Sequence, residues 1–446
     1  MARAKKEAAL TSEERLQAAL VPDWEWPYKL PENWCWTYLT KVAECLDNFR
    51  KPINATERAG RIGNIPYYGA TGQVGWIDDF LTDENLVLLG EDGAPFLDLI
   101  KDKAYLISGK AWVNNHAHIL RSPFGDTGNR YLLHYLNSFN YAGYVNGTTR
   151  LKLTQASMDT IPIPLPPLAE QQRIVDRIES LFSKLDEAKE KAQAVVDSFE
   201  TRKAAILHKA FTGELTAKWR RTHGLSLDTW KEVAADSLFE YVTSGSRGWA
   251  KYYDESGAVF IRMGNLDHGT IELDFSDIQH VKLPNKAEGQ RSRIRKNDIL
   301  ISITADVGMV GLVRNDDFEG YINQHIALAR PVMSESAEFI AWYLVSDIGL
   351  KQMQEKQRGA TKVGLSLNDI RALQLKIPLI EEQNEILKVI KMWIGKEQQS
   401  QEAAEAVLDQ IDLMKKSILA RAFRGELGTN DPNEESAVEL LKRTIL

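Results

Sequence analysis

Two stretches of this sequence repeat one pattern and decide its fold. They are IPIPLPPLAEQQRIVDRIESLFSKLDEAKEKAQAVVDSFETRKAAILHKAFTGEL at residues 161–215 and LQLKIPLIEEQNEILKVIKMWIGKEQQSQEAAEAVLDQIDLMKKSILARAFRGEL at residues 373–427. The two copies match without a gap, from Thr149 against Thr361 to Leu215 against Leu427. A match of this length indicates an internal repeat, so the chain consists of two copies of one unit.

Both stretches predict a long helix with an apolar seam. Apolar residues follow one another at alternating spacings of four and three, which is the heptad pattern of a coiled coil. At a rise of ~1.5 Å per residue, about 40 helical residues give a rod of roughly 60 Å. The predicted core positions are Ile174, Ile178, Leu181, Leu185, Val195, Phe199 and Ile206 in the first copy, and Ile386, Ile390, Trp393, Val407, Ile411 and Ile418 in the second.

The ends of the helices are marked by proline and glycine. The proline-rich lead-in at 161–167 cannot be helical, and Pro378 marks the same point in the second copy. Gly213 and Gly425 stand where the helices should stop. Because the connection from Leu215 to Trp230 is short, the second module must start at the far end of the first helix. We therefore expect the two helices to pair antiparallel.

Each helix follows a module of mixed helix and strand. Asn114–Ala117 matches Asn323–Ile326, and Leu133–Leu136 matches Ala341–Leu344. We also align Trp36 with Trp230, and Tyr67–Gly69 with Arg262–Gly264, so the second module carries extra length. The predicted class is α+β: two similar mixed α/β modules, each followed by a long helix, in a pseudo-two-fold repeat. The predicted boundaries are 1–25 for an N-terminal extension, 26–160 for module 1, 161–220 for the first helix, 221–372 for module 2, 373–427 for the second helix and 428–446 for a tail that ends in a short amphipathic helix.

Composition and charge limit the class of protein. The 446 residues are 43% hydrophobic and 26% charged, which is ordinary for a globular chain with sizeable cores. The net charge of −7 means that a nucleic acid could not be held by bulk charge, and would need local basic patches or another subunit. Two cysteines, Cys35 and Cys45, fit a reducing compartment. Without a signal peptide or a long apolar run, we expect a cytoplasmic protein with no membrane contact.

The motifs of catalysis are missing from the sequence. It contains no phosphate-binding loop, no dinucleotide fingerprint, no Asn-Pro-Pro-aromatic methylation motif, no nucleophile elbow and no HExxH. Glu91 and Asp92, followed by Asp98, Lys101 and Lys103, form too loose a pattern to indicate a metal-dependent nuclease site, and the second copy has Thr304-Ala305-Asp306 there instead. His116 and His118 lack a third metal ligand. We therefore predict no catalytic residue, no cofactor and no metal in this chain.

One short motif is common to both modules. Asn114-x-His116 and Asn323-x-His325 predict a shared structural hydrogen-bond site, and contact of the amide with a base is the alternative. Two similar modules on a rod fit a reader of two separated DNA half-sites. A coiled-coil scaffold that binds two proteins without DNA is the competing hypothesis, and a chain that carries out catalysis by itself is disfavoured by the missing motifs.

Several fragments together resemble a known family. They are IPLPPLAEQQRIV at 163–175, AFTGELTAKWR at 210–220, SILARAFRGEL at 417–427, YYGATG at 67–72, GEDG at 90–93 and INQH at 322–325. The combination is similar to the specificity (S) subunits of type I restriction-modification enzymes, over nearly the whole chain.

The resemblance implies a non-catalytic DNA-recognition subunit in host defence. Its two modules would be target recognition domains that read the two halves of an asymmetric bipartite DNA site. Its helices would set the spacing and dock two methyltransferase (M) subunits, which bind S-adenosylmethionine. Restriction (R) subunits would use ATP and Mg. The residues that it implies for M docking are Phe211, Gly213, Glu214, Leu215, Phe423, Gly425, Glu426 and Leu427.

The resemblance does not assign base contacts. We predict them on loops that carry basic, amide and aromatic side chains, because these are the groups that contact bases and phosphates. The predicted DNA-binding residues are Lys51, Arg61, Tyr68, Thr71, Gly72 and Gln73 in module 1, and Arg247, Arg262, Asn265, Arg293 and Arg295 in module 2.

Overall fold

The computed structural model describes residues 11–284, 288–357 and 364–445. The chain divides into two compact units. Unit 1 comprises Met1–Ala192 and Ala406–Leu446, and unit 2 comprises Gln193–Glu405. Each unit therefore contains one module, one end of the first long helix and the opposite end of the second.

Module 1 and the helices that follow it contain eight helices and twelve strands in the described residues. The helices are α1 Ser12–Ala19, α2 Leu39–Val42, α3 Ala55–Gly60, α4 Gly125–Ser138, α5 Gln155–Asp159, α6 Leu168–Asp197, α7 Phe199–Phe211 and α8 Ala217–Thr222. The strands are β1 Cys35–Tyr38, β2 Glu44–Cys45, β3 Ile65–Gly69, β4 Gly72–Ile77, β5 Thr82–Asp83, β6 Leu86–Gly90, β7 Ala104–Ile107, β8 Lys110–Val113, β9 Ala117–Arg121, β10 Val145–Asn146, β11 Lys152–Leu153 and β12 Pro162–Leu165.

Module 2 and the rest of the chain follow the same plan. The helices in the described residues are α9 Ala337–Val345, α10 Asp347–Lys356, α11 Leu367–Arg371, α12 Ile380–Phe423 and α13 Ala437–Ile445. The strands are β13 Lys231–Ala234, β14 Phe239–Ser244, β15 Tyr253–Asp254, β16 Ala258–Ile261, β17 Gln279–Val281, β18 Ile299–Ser302, β19 Val310–Leu312, β20 Gly320–Ile322, β21 Ile326–Pro331 and β22 Gln374–Ile377. Among the helices of the described ranges, none has an apolar stretch that could cross a membrane.

Each module is built on two four-stranded sheets. Module 1 has the strand orders β2-β9-β6-β7 and β4-β3-β8-β5, and module 2 has β14-β21-β18-β19 and β15-β17-β16-β20. The second sheet of each module contains one parallel pair, β3 with β8 and β16 with β20. Strands β6 and β18 are buried along their whole length, as their continuous apolar sequences require. The mixed helix and strand content agrees with the predicted α+β class.

The strand register corrects two of the sequence alignments. Cys35 pairs with Leu165, and Lys231 pairs with Ile377, the counterpart of Leu165 in the gap-free repeat. Trp34, and not Trp36, therefore corresponds to Trp230. The alignment of Trp36 with Trp230 was wrong because several tryptophans lie close together in this segment, and because gaps separate it from the gap-free repeat.

The second corrected alignment concerns the strand next to the shared asparagine. The backbone N–H of Asn114 donates to the carbonyl of Tyr68 at 3.1 Å, and that of Asn323 donates to Ile261 at 3.0 Å. Tyr68 therefore corresponds to Ile261 and not to Met263. The predicted match of Asn114 with Asn323 is confirmed. The segment 262–278 stands where 69–74 stands in module 1, and this is where module 2 carries extra length.

The long helices contact each other within each unit. In unit 1, Asp186 pairs with Lys415 at 2.5 Å, and Lys189 pairs with Asp412 at 3.5 Å, so these segments run in opposite directions. In unit 2, Arg202 pairs with Glu397. The first helix is interrupted at Ser198, between α6 and α7, whereas α12 is continuous.

The predicted helix core is only partly buried. Ile174, Ile178, Phe199, Ile386, Ile390 and Ile411 are buried, whereas Leu181, Leu185, Val195, Ile206 and Ile418 are half-buried. Trp393 and Val407 are 42% and 41% exposed, so their assignment to the core is wrong for the chain on its own. In unit 2, α12 instead buries Leu387 and Ile394, because this end packs against module 2 with a face of helical period 3.6.

The last aromatic residue of each long helix closes the module of the other repeat. Phe423 lies edge-on to Tyr131 and Tyr135, with ring centroids 5.4 and 5.0 Å away. Phe211 lies against Phe339 and Tyr343 at 5.3 and 5.2 Å. Both phenylalanines are at most 2% exposed.

This packing corrects part of the predicted M-docking set. Phe211 and Phe423 offer no surface to a partner, and Gly213 is buried. Gly425 has a φ of +74°, and a Cβ there would lie 2.4 Å from the Pro31 ring, so this glycine is required by close packing. Glu214 and Glu426 are exposed, and Leu215 and Leu427 are half-buried.

A buried glutamate at the start of each long helix holds the chain that follows the other helix. Glu382 is fully buried, and it accepts hydrogen bonds from Thr216 Oγ1 at 2.7 Å, from Arg220 Nη1 at 2.5 Å and from Trp230 Nε1 at 3.0 Å. In unit 1, Glu170 accepts from Thr429 Oγ1 at 2.7 Å and from Arg173. Burial raises the pKa of Glu170.

The C-terminal segment belongs to unit 1. The predicted short helix is α13, and it buries Ala437 and Leu441 in the core of this unit. The N–H of Ala437 donates to the Asn33 carbonyl at 2.9 Å, and Arg173 pairs with Glu434 at 2.7 Å. This segment is therefore structural.

Replacement of Glu382 by alanine should strongly destabilise unit 2. The change leaves the Arg220 guanidinium buried without its carboxylate, which typically costs about 3–5 kcal/mol. Urea unfolding of the full chain measures the effect. Glu381→Ala is the matched control, because Glu381 is exposed on the same turn. Equal midpoints for the two variants would show that the buried ion pair is not a source of stability.

Candidate nucleic-acid interface

In module 1, the predicted DNA-binding residues surround the β3–β4 hairpin. Thr71 and Gln73 are exposed at its tip, and Gly72 has a φ of +137°, which only glycine adopts readily. The Tyr68 ring lies 5.9 Å from the Tyr105 ring, and Tyr105 Oη donates to the Gly69 carbonyl at 2.5 Å. The tip is therefore held in place by the strands beneath it.

The predicted basic residues of module 1 lie on aromatic rings. Lys51 Nζ and the Arg61 guanidinium lie 5.9 and 4.6 Å from the centre of the Trp112 ring. Arg61 also pairs with Asp78 at 2.6 Å, and this hydrogen-bonded carboxylate raises the pKa of Arg61. Arg58 lies over Tyr67 at 4.9 Å. The structure thus brings Lys51 and Arg61 together.

The same edge of module 1 exposes apolar side chains that sequence reasoning missed. Ile62 is 91% exposed, Trp76 56%, Val74 49% and Phe80 40%. The sequence of β4 could have predicted this exposure, because Trp76 directly precedes Ile77, which is fully buried. Alternation of this kind predicts that Trp76 faces outward.

In module 2, two of the predicted residues hold the long loop 262–278. Asn265 is 4% exposed. Its side chain accepts from the Arg262 N–H at 2.8 Å and donates to the carbonyls of Asp274 and Asp277 at 2.8 and 3.0 Å. The prediction of Asn265 as a DNA-binding residue is therefore wrong, because all its polar atoms are used within the loop. The Arg262 side chain pairs with Asp277 at 2.8 Å.

The other arginines of module 2 line a groove of about 560 Å³. Arg291, Arg293 and Arg295 are exposed along it, and among the described residues none of the three forms an ion pair. Arg330, which sequence reasoning missed, lies in the same groove. Arg247 is exposed beside the left-handed Gly248.

Arg330 is fixed in the groove by a buried carboxylate. Its Nε and Nη2 donate to the two oxygens of Asp298, both at 2.7 Å, and its guanidinium lies 5.7 Å from the Tyr241 ring. These hydrogen bonds raise the pKa of Arg330, whereas burial raises the pKa of Asp298. The groove therefore presents several arginines, one of them a preorganised guanidinium, together with the carboxylates of Glu240 and Asp316.

The shared Asn-x-His motif is structural in both modules. Asn114 Oδ1 accepts from the His116 N–H at 2.8 Å, and Asn323 Oδ1 accepts from the His325 N–H at 3.0 Å. The predicted hydrogen-bond site is confirmed, because each asparagine closes the turn between two strands of its module.

A group of potential metal ligands in module 1 is engaged in internal bonds. Cys45, Asp47 and His118 place ligand atoms within 4.8 Å of one another. His118 Nδ1 contacts Asp47 at 2.6 Å, and its Nε2 contacts the Leu153 carbonyl at 2.9 Å. Burial raises the pKa of the Cys45 thiol to about 11. A metal would have to replace these contacts and deprotonate the thiol, so we interpret the group as structural.

Comparison with known proteins identifies the family. The model for the type I restriction modification DNA specificity domain matches residues 31–196 and again residues 228–405. The chain belongs to this family and contains two copies of its domain. The resemblance found in the sequence is thereby confirmed.

Curated relatives carry corresponding names. The chain is 27% identical over 310 residues to the type I restriction enzyme EcoBI specificity subunit of Escherichia coli, covering 66% of this chain and 64% of the relative. It is 37% identical over 146 residues to the putative specificity subunit S.HindORF215P of Haemophilus influenzae, covering 33% and 37%. The matches thus span less than two thirds of these relatives.

Two solved structures share the fold. The HsdS subunit of Thermoanaerobacter tengcongensis has a TM-score of 0.56 at 19% identity, covering 90% of this chain and 99% of that one. A chain from a study of complex assembly and conformational transition of the type I R-M system has a TM-score of 0.61 at 19% identity, covering 90% and 100%.

Replacement of Asn265 by alanine should lower the thermal stability of the protein, because this side chain holds a loop. The variant leaves the backbone groups of the 262–278 loop without partners, which costs about 1–3 kcal/mol. Thermal unfolding of the full chain measures the loss. Arg247→Ala is the control, because Arg247 is exposed and should leave the midpoint unchanged. An unchanged midpoint for Asn265→Ala would restore this residue as a candidate for DNA contact.

Proposed function

We propose that this chain is the DNA sequence-specificity subunit of a type I restriction-modification complex, and that its two modules read the two halves of an asymmetric, bipartite DNA site. The observation that supports this most strongly is that the modules share the strand order of the first sheet and a three-strand core of the second, but differ in the outer strand of the second sheet and in their exposed loops. A common scaffold with different surfaces suits two different half-sites.

The charge of the chain is compatible with this role when partners contribute. The net charge is −7, so the arginines of the module 2 groove supply only a local attraction for phosphates. M subunits that enclose the DNA would supply the remaining positive surface. The partners are therefore double-stranded DNA, two M subunits and R subunits.

The long helices act as the spacer between the half-sites in this proposal. Opposite chain directions of α6 and α12 in unit 1 support an antiparallel coiled coil, and the ion pair between Arg202 and Glu397 adds a contact in unit 2. The second long helix, α12, is continuous over 44 residues.

The exposed apolar face of α12 is the surface that we assign to M docking. Within unit 1, Val407 and Met414 are 41% and 48% exposed, one heptad apart. A heptad stripe left exposed on a helix is the pattern that another helix covers. Glu214, Leu215, Glu426 and Leu427 remain predicted docking residues at the helix ends.

The chain itself is non-catalytic in this proposal. M subunits bind S-adenosylmethionine and methylate adenine, and R subunits use ATP and Mg for translocation and cleavage. The complex would act in the cytoplasm, where host and foreign DNA meet. No residue of this chain is assigned to a reaction step.

Deletion of the gene should remove one methylation motif from the host genome. We expect methyladenine to disappear at a single interrupted, asymmetric sequence, because only the specificity subunit selects it. Genome-wide methylation calling with the gene intact and deleted measures this. An unchanged methylome, with the M gene shown to be expressed, would contradict the proposal and favour the scaffold hypothesis.

Replacement of Val407 by aspartate should weaken M binding about tenfold or more, because it places a charge in an apolar helix interface. Co-purification of the M subunit with the full chain measures the loss. Ala406→Asp is the matched control, since Ala406 is exposed one residue away and off the stripe. Equal M recovery with both variants would exclude this face of α12 as the docking surface.

A further inference from the structure

One edge of each module can be superposed residue by residue from its backbone hydrogen bonds. Thr82 pairs with Ala111 on β8, and the bridge between Arg293 and Tyr321 places Ile294 opposite Gly320 on β20. Ala111 and Gly320 occupy the same position of the parallel strands β8 and β20. Thr82 and Ile294 are therefore equivalent.

Residues before this pair are equivalent in turn, and their chemistry differs. Leu81 of module 1 corresponds to Arg293 of module 2, and Asp79 corresponds to Arg291. An apolar side chain and a carboxylate in one module are thus exchanged for two guanidinium groups in the other.

The neighbouring strand gives a further equivalent pair. Trp76 pairs with Pro66 across β4 and β3, and His280 pairs with Val259 across β17 and β16. The residues that follow them, Ile77 and Val281, are both at most 1% exposed, which supports this alignment of the two strands. Trp76 therefore corresponds to His280.

The edge of module 1 exposes several apolar side chains beside polar ones such as Asp78 and Asp79. Ile62, Val74, Trp76 and Phe80 present carbon surface to the solvent. The cations near them lie over rings: Arg61 over Trp112, Lys110 over Phe80 and Arg58 over Tyr67. Arg61 is also paired with Asp78.

The edge of module 2 is cationic at the equivalent points. Arg291 and Arg293 occupy the positions of Asp79 and Leu81, and Arg295, at the position of Asp83, follows two residues later along the same groove. Among the described residues the three guanidinium groups form no ion pair, while Glu240 and Asp316 also line the groove and Asp298 interacts electrostatically with Arg295.

The two edges fit different bases. In the major groove, the thymine methyl group is the apolar feature that carbon surface contacts, whereas arginine donates two hydrogen bonds to guanine O6 and N7. We propose that module 1 selects thymine through Trp76, Val74 and Phe80, and that module 2 selects guanine through Arg291, Arg293 and Arg295. This inference rests on the proposed function and adds the base chemistry of each half-site.

Base analogues test the inference directly. The probe is a duplex with the bipartite site found by methylation mapping, bound by the full chain together with its M subunits. Deoxyuridine in place of thymine removes only the methyl group, and 7-deazaguanine removes only the N7 acceptor. We expect about a fourfold weaker Kd for each contacted methyl in one half-site, and at least about a fivefold loss for 7-deazaguanine in the other.

Variants assign the losses to residues. Trp76→Ala should reduce the difference between the thymine and deoxyuridine duplexes, because one of the three proposed partners of the methyl group is gone. Arg293→Gln should reduce the difference between the guanine and 7-deazaguanine duplexes in the same way. Trp24→Ala and Arg221→Ala are the matched controls, since Trp24 is 84% exposed outside this edge and Arg221 is exposed on α8. Both controls should keep the full sensitivity to the analogues.

The outcomes separate this inference from the proposed function. A mapped duplex that binds no more tightly than a scrambled one contradicts the proposed function. Selective binding that is insensitive to both analogues, or a Trp76→Ala variant that retains the full deoxyuridine effect, overturns the inference alone. A loss with Arg293→Gln that is equal for all duplexes would mean a phosphate contact, and would overturn the guanine assignment.

Discussion

The structure depends on the closure of each module by a helix end that comes from the other repeat. Phe423 fills the aromatic pocket of module 1, and Phe211 fills that of module 2. Burial of a phenylalanine against two rings contributes about 2–3 kcal/mol of transfer free energy, and aromatic edge contacts add to it. Removal of either helix end would expose a module core. Neither repeat is therefore complete without the other.

The buried glutamates strengthen the same closure with directional bonds. Glu382 receives three donors from the segment that follows α7, and Glu170 receives Thr429 from the segment that follows α12. A buried carboxylate is costly unless every partner is in place, so these bonds specify one arrangement of the helix junction. The repeated Glu-Gln after the prolines, which looked like a family marker in the sequence, thus has a structural reason.

The sequence predicted the elements that repeat and missed what depends on tertiary packing. The gap-free repeat indicated both long helices, and the shared Asn-x-His motif indicated a turn that the structure contains. Heptad spacing placed Trp393 in a core, but the helix face is set by module 2, which a heptad count does not include. Asn265 was assigned to DNA because exposed amides contact bases, and only the fold shows that its side chain holds a loop.

The sequence indicated which loops carry the candidate interface, but it did not indicate which side chains are exposed there. Basic residues on loops were visible in the sequence, whereas the apolar edge formed by Ile62, Val74, Trp76 and Phe80 emerges only when the hairpin is paired and Ile77 turns inward. These edge residues contribute little to the cores, which are formed by buried strands such as β6 and β18. Substitutions at the edges therefore cost little stability. A scaffold closed by internal ion pairs and aromatic contacts can carry different side chains on equivalent edges, and under the proposed function this would let one fold serve two half-sites of different base composition.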